Sequence, residues 1–289
     1  MVSLVEVGRR LKAHRQTSGL TVEAAAEAVH VSRALLYRYE AGEIVKLDTL
    51  ERLARLYGTS LPTLLGMSQD YVPNAVTFFE RIEKLEQEAD HIITVFGPMA
   101  YVLTTPAYEA ALFRALAAGS DANGLNKSDA QQLRAILRRR RAIHARGQSS
   151  FVNIIPMAEI AAYVQEVPPA RGGLEDQRTV ASAEISHLCT LIEKPPMGVQ
   201  VAVTSQPLPT SGFQIIRKGA QSLLVTSPFR LGFPLNLRYG VAVISSDEQA
   251  VRLHETLAAR LWDSALPAGE AVAAIRTLIR TGAARVSER

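Results

Sequence analysis

The sequence predicts an α+β protein with an all-α N-terminal domain, and three observations carry that reading. Apolar residues recur at helical spacing through residues 4–66 almost without interruption, whereas β-type runs first appear beyond residue 90. Hydrophobic residues make up 47% of the 289 and charged residues 21%, so the chain can bury real cores, and its length suggests about two domains. The single cysteine, Cys189, excludes an intramolecular disulfide framework and every multi-cysteine zinc site.

Charge and hydropathy narrow the partners. Lys plus Arg number 32 against 28 for Asp plus Glu, a net charge of +4 that permits nucleic-acid binding without establishing it. The opening residues lack the apolar core of a signal peptide. The most apolar long stretch, 98–119, carries Glu109 and Arg114, so no segment reads as membrane-spanning and a cytoplasmic location is expected.

The first domain reads as five helices. Leu4, Val7, Leu11 and His14 share one helical face, which Gly19 should end. Thr21 can cap a second helix with Ala24, Ala25, Ala28 and Val29 on its buried side, and Ser32 can cap a third over 33–41, ended by Gly42. A fourth runs from about 47 to 57 on the stripe Leu50, Leu53, Ala54 and Tyr57. Ser60 caps a short fifth, with Pro62 tolerated in its first turn.

Arg15…Gly19-Leu20-Thr21…Ala25…Ala28…Val31-Ser32…Leu36…Tyr39-Glu40-Ala41-Gly42…Leu50…Leu53-Ala54…Leu65 resembles the phage-repressor-type (xenobiotic-response-element, XRE) family of helix-turn-helix DNA-binding domains across its whole span. The resemblance implies that Arg15 and Glu40 form the ion pair tying the first helix to the recognition helix, and that Val31, Leu36 and Tyr39 are its buried face. Two positions depart from the family. His30 stands where a glycine usually makes the turn, and histidine tolerates positive φ. Val22 stands where the family often has a phosphate-binding Gln, and valine cannot make that contact.

Beyond residue 68 the pattern changes. Over about 73–91, Phe78, Ile82, Leu85, Ala89 and Ile92 form a short heptad-like stripe opposite an acidic face. It reads either as a connecting helix packed on its own domain or as a dimer seam through Phe78, Ile82 and Leu85. Strands are then predicted at 92–96, 151–155 and 199–203, a hairpin at 213–216 and 222–225, and a last strand at 241–244. Helices are predicted at 106–118, 128–147, 175–192, 247–261 and 268–279, with a polar loop over 120–127. The resulting domains are 1–68 (helix-turn-helix), 69–92 (linker helix) and 93–289 (α+β). Glu88-Ala89, Leu103 through Tyr108, Arg138 through Arg141, Val199-Gln200-Val201 and Gly212-Phe213 are similar to the uncharacterised effector domain that follows this helix-turn-helix in many actinobacterial regulators. That likeness is loose, lacks the usual Gly-Leu-Leu-Gln before Thr105-Pro106, and implies no catalysis.

Chemistry then assigns the candidate residues. The outward positions of the third helix are Arg33, Ala34, Tyr37 and Arg38; an arginine fork matches guanine O6 and N7, and an alanine can meet only a thymine methyl. Ser32 and Lys46 suit phosphates. Arg138 to Arg141 point in four directions on a helix, which leaves ion pairing, an anion clamp or DNA contact open. An effector cavity is expected around the hairpin and the last strand, with Phe213, Ile215, Leu224, Phe229 and Phe233 as apolar wall and Arg230, Arg238 and Tyr239 as polar handles. No Gly-x-Ser-x-Gly elbow, phosphate loop or His-x-Lys signature occurs, since His254 precedes Glu255 and Thr256, so neither catalysis nor a metal or other cofactor is expected.

The sequence therefore reads as a transcription regulator, a repressor by type, that binds an inverted-repeat DNA operator as a homodimer and senses a small molecule through its C-terminal domain. Two alternatives stay open: an antitoxin-like, partner-controlled repressor, and a DNA-binding module fused to a cryptic enzyme. A cavity lined by apolar groups with a few convergent polar ones favours the sensor.

Overall fold

The computed structural model describes residues 3–44, 46–66, 69–97, 100–118, 125–166, 174–206, 212–231 and 235–287. The chain divides into two compact units, Met1–Asp70 with Ser245–Ala250, and Tyr71–Ile244 with Val251–Arg289.

The smaller unit holds α1 (Leu4–Thr17), α2 (Val22–Ala28), α3 (Arg33–Glu40), α4 (Leu47–Leu56) and α5 (Leu61–Leu64). Caps set their starts: Thr21 accepts from the Ala24 N–H, Ser32 from Leu35 and Ser60 from Thr63. Val7, Leu11, Ala25, Leu36, Tyr39, Leu50, Leu53 and Leu64 form one core. Between α2 and α3 the chain turns through His30 at φ 55°, a left-handed conformation that a short polar side chain can hold. The crossing of α1 over the end of α3 needs two glycines. A Cβ on Gly8 would lie 2.6 Å from the Glu40 carbonyl oxygen, and one on Gly42, at φ +95°, would lie 2.7 Å from Val5 Cα.

The larger unit is built on a mixed seven-stranded sheet in the order β1-β7-β6-β5-β2-β3-β4. Its strands are β1 (Gln69–Val72), β2 (His91–Val95), β3 (Ser150–Pro156), β4 (Val199–Thr204), β5 (Phe213–Lys218), β6 (Gln221–Thr226) and β7 (Ala242–Ser245). β2, β3 and β4 run parallel, because helical crossovers connect them; β5 pairs antiparallel with both β2 and β6. The helices are α6 (Ala75–Gln87), α7 (Pro106–Ala118), α8 (Lys127–Ala145), α9 (Met157–Glu166), α10 (Leu174–Glu193), α11 (Glu248–Asp263) and α12 (Ala268–Ser287), with a 3-10 turn over Tyr101–Leu103.

Strand alternation sorts them onto two faces. Gln214, Ile216 and Val225 share a face with Ile92, Thr94 and Phe151, and there α6 and α8 build the main core. Phe213, Ile215 and Arg217 point the other way. The Phe213 ring meets His254 edge-on at 4.8 Å between centroids and Arg217 pairs with Glu255, which puts α11 on that face. A further core joins α9, α10 and α12 around Ile155, Leu188, Cys189 and Ile275, so Cys189 is a buried packing residue.

Of the two readings of α6, packing on its own domain is the one favoured here. The stripe Phe78, Ile82, Leu85 does not form an open seam: Phe78 and Ile82 are buried in the core of their own domain, and Leu85 packs against it. Most of its apolar surface is already covered within the chain. The helix is also shorter than 73–91, because Asn74 caps its start and the chain enters β2 at His91.

Candidate functional site

The recognition surface follows from the pattern of α3. Leu36 and Tyr39 are buried, which turns Arg33, Ala34, Tyr37 and Arg38 outward, all exposed, with Tyr37 half-accessible. Arg33 rests on Glu23 at 2.8 Å and Arg38 on Glu43 at 2.7 Å. Both pairs are solvent-exposed and therefore weak, so each guanidinium can exchange its carboxylate for a base edge or phosphate at small cost. Ser32 is exposed; its oxygen accepts the helix-capping N–H, and its own O–H remains available to a phosphate. Lys46 is exposed too. The Tyr39 hydroxyl accepts its backbone N–H at 2.9 Å, and so fixes the α3–α4 loop that carries it.

The angle of α3 is set from behind. Arg15 Nε donates to Glu40 Oε1 at 2.6 Å and Arg15 Nη2 to Glu40 Oε2 at 3.2 Å, a two-pronged pair whose side chains are only 10% and 5% exposed. Arg15 Nη1 also donates to the Leu20 carbonyl at 2.9 Å. The hydrogen bond to Glu40 raises the arginine's pKa above its usual value, which outweighs the opposing effect of burial. Arg52 Nη1 donates to the Val29 carbonyl and so braces the turn between α2 and α3. Val22 is buried and offers DNA nothing.

The larger unit holds a cavity of about 130 Å³ between α6, the 3-10 turn, α7, α8 and the strands β2, β5 and β6. Phe78, Phe79, Ile82, Phe96, Phe213 and Phe229 supply apolar wall, and Glu86, Arg140, Gln214, Tyr101, Tyr108 and Arg230 supply polar atoms. Three of the expected wall residues, Phe213, Phe229 and Arg230, stand there. Ile215 and Leu224 do not: they pair with each other and are buried on the hairpin face that turns away from α6 and α8, a face that Phe213 shares while bordering the cavity from the end of β5. Arg238 and exposed Tyr239 lie outside the cavity, where the arginine stacks on the tyrosine ring. Phe233 lies outside the described residues.

The most polar part of the wall was not anticipated. Arg140 Nε and Nη2 donate to the two oxygens of Glu86, both at 2.7 Å, and Gln214 Nε2 donates to Glu86 Oε1 at 3.3 Å. His144 Nε2 sits 3.3 Å from Glu86 Oε2 without the alignment of a hydrogen bond. Burial alone would push the Glu86 carboxyl up, but Arg140 and His144 overcome it and hold it at about 2. Tyr108 is pushed well above the usual phenol range by burial, and its hydroxyl donates to the Leu231 carbonyl at 2.8 Å. One signal for the pair existed: the acidic face of α6 and the arginines of α8 are complementary in charge.

The arginine run resolves along those lines. Arg139 is bidentate to Glu83, Arg140 to Glu86, and Arg141 reaches Glu109 and the Thr104 carbonyl. Arg138 is the most exposed of the four and lies 4.0 Å from Glu109. Glu184, also buried, accepts from both the N–H and the hydroxyl of Thr105.

A five-helix unit with an exposed, arginine-bearing third helix behind a tight turn is a helix-turn-helix DNA-binding domain. Residues 6–71 match the family model of that description, "Helix-turn-helix domain". No curated relative matches the chain. Among solved structures, the chain is similar to TrmBL2, an archaeal chromatin protein described as showing a novel mode of DNA binding, at 8% identity and a TM-score of 0.32. That alignment covers 69% of this chain and 54% of the other, so the chain spans about half the length of that protein, and the likeness is too distant to carry an argument. Among the described residues, no helix is long and apolar enough to cross a membrane.

Proposed function

We propose that this chain is an XRE-type transcription regulator that reads an inverted-repeat operator as a homodimer, acts in the cytoplasm, and is controlled by a small molecule held in its C-terminal α+β domain. The observation that carries the sensor reading is the cavity: apolar on most sides, with a few polar groups converging from several elements. The DNA reading rests on the four outward residues of α3 together with Ser32 and Lys46. The dimer reading rests on specificity: a single small helix-turn-helix makes few base contacts, and a two-fold axis doubles them. Pairing surfaces other than the buried stripe of α6 must then supply the dimer. The domains run from 1 to about 70 for DNA and onward from there for sensing, with α6 part of the sensor.

The protein works by binding rather than catalysis. Among the described residues, the buried carboxylates of the larger unit are already occupied, Glu86 by Arg140 and Gln214, Glu184 by Thr105. A carboxyl held near 2 has too little basicity to take a proton at neutral pH. Selection of duplexes from a random pool, with mass measurement of the free protein and of its complex, tests the reading. The expected outcome is enrichment of two half-sites spaced by about 10 bp or a multiple. A monomer that binds a lone half-site as tightly as the full repeat refutes the dimer, and a flat, sequence-independent enrichment refutes the regulator.

A further inference from the structure

The cavity's charges decide what it can hold. Glu86 and Arg140 face it as a closed pair, and Arg230 at its edge is paired with Glu159 at 3.0 Å, so the lining carries no uncompensated charge. Hydrogen-bonding capacity nevertheless remains. Arg140 spends Nε and Nη2 on Glu86, and its Nη1 makes no hydrogen bond among the described residues and remains accessible to water. Gln214 must turn its amide nitrogen to Glu86, since a carboxylate only accepts, and this leaves its carbonyl oxygen as an acceptor in the same wall. Tyr108 has already given its proton to Leu231.

Building on the sensor reading above, we infer that the cavity binds an uncharged, compact, largely hydrocarbon ligand carrying one hydrogen-bond acceptor, a carbonyl or hydroxyl oxygen, that receives a hydrogen bond from Arg140 Nη1. Size follows from volume: an apolar cavity of about 150 Å³ accommodates benzene, so 130 Å³ holds about one six-membered ring, and the open side of the cavity leaves room for a short substituent. Charge follows from the pair. A carboxylate or an amine would bring a net charge into a largely apolar space whose own charges already cancel, which is costly. A ligand with no polar atom would fill the space but displace water from the Arg140 Nη1 donor without replacing its hydrogen bond. Glu86 thus acts as a positioning and charge-setting residue: it aims the guanidinium and cancels its charge.

Four probes of near-equal size test this on the full-length protein: acetophenone, benzoate, benzylamine and ethylbenzene, followed by ligand-observed NMR and thermal shift. Acetophenone should bind about tenfold or more tighter than the other three, the effect of one satisfied hydrogen bond or one avoided buried charge. Val225→Phe, which grows into the cavity from β6, should abolish that binding; binding that survives it lies elsewhere and overturns the inference. Glu86→Gln leaves Arg140 uncompensated, so where the variant folds its preference should invert from acetophenone to benzoate, and an unchanged preference refutes the role given to Glu86. The native panel decides whether or not that variant folds. Preference for benzoate or benzylamine, or equal binding of ethylbenzene, overturns the ligand class while leaving a ligand-binding cavity. Failure of all four to bind overturns the cavity's sensor role as well.

Discussion

Glu40→Ala tests the scaffold beneath the DNA-reading helix. The substitution removes both acceptors of Arg15 and leaves a guanidinium in a site where the native side chain is only 10% exposed. Removing one partner of a buried ion pair costs about 3–5 kcal/mol, because the remaining charge stays desolvated without compensation. Arg15 keeps its bond to the Leu20 carbonyl, so the cost should fall near the lower end, about 3 kcal/mol. For a unit of some 70 residues, each kcal/mol shifts the midpoint by about 4–8 °C, and the first unit should melt roughly 10–25 °C earlier. Calorimetry of the full chain, with a cognate duplex to mark which transition belongs to the DNA-binding unit, reads this directly. The partner control is the double variant Arg15→Met with Glu40→Leu, which should recover most of the loss because no charge is stranded. A loss below about 1 kcal/mol for Glu40→Ala, or a double variant no better than the single, would refute the buried-pair argument.

Three further outcomes are expected. Gly8→Ala gains helix propensity worth about 1 kcal/mol, yet its Cβ would sit 2.6–2.7 Å from three backbone atoms of the α3 terminus, so overpacking should win and destabilise the first unit by about 2–3 kcal/mol in urea melts; a neutral or stabilising result would mean the two helices are further apart. On DNA, Arg38→Ala should weaken the cognate site by about 1–3 kcal/mol and relax one base pair, while Lys46→Ala should weaken all sequences and flatten the salt slope by about one; identical behaviour of the two in titrations at several salt concentrations would remove the distinction between base and phosphate contacts. Glu86 has a folded pKa below its unfolded value of 4.5, so its contribution is complete above about 4.5 and is lost as the pH falls toward 2; the shift corresponds to about 3 kcal/mol, and wild-type stability of the larger unit should decline over that window more steeply than that of Glu86→Gln, as measured by denaturant melts across pH.

What could be read from the sequence was what depends on near neighbours. Helical spacing, caps at Thr21, Ser32 and Ser60, and the tolerance of His30 for positive φ are local properties, and they place the outward face of α3 without any distant contact. Two elements escaped notice for physical reasons. β1 has four residues of which only Val72 is buried, too little for an alternating signal, and α9 follows β3 without an intervening turn or a capping Ser, Thr, Asn or Asp. The hairpin is legible in the sequence, but the separate destinations of its two faces are not. Alternation sends Gln214 and Val225 to the cavity and Ile215 and Leu224 away from it, a division that depends on which side α6 and α8 cover. Glu86 and Arg140 stand 54 positions apart and meet only through the packing of α6 on α8, so no spacing rule reaches them.

The buried pair also bears on why the larger unit carries charge in its interior at all. A buried ion pair is a poor source of stability, since its desolvation penalty roughly matches its attraction and an apolar pair of similar volume serves about as well. Had α6 and α8 needed only to stay together, the aromatic and aliphatic contacts around Phe79, Ile82, Leu133 and Ile136 already provide an interface, and Arg139 with Glu83 already selects its register from the surface. What Glu86 and Arg140 add is polarity at the one face of that interface that opens onto a cavity. A guanidinium whose orientation is fixed on two nitrogens and whose third stays unengaged is a preorganised donor. Its neighbour Arg141 holds the Thr104 carbonyl and Glu109, so consecutive residues of one helix bind the cavity wall and the segment that leads into α7. A ligand hydrogen-bonded to Arg140 therefore acts on the same helix that fixes α6 through Glu83 and Glu86 and α7 through Glu109. Occupancy of the cavity should then be registered as tighter mutual packing of these three helices: hydrogen exchange with and without acetophenone should slow in α6, in the 101–109 segment and in α8, and protection confined to β5 and β6 alone would contradict the coupling.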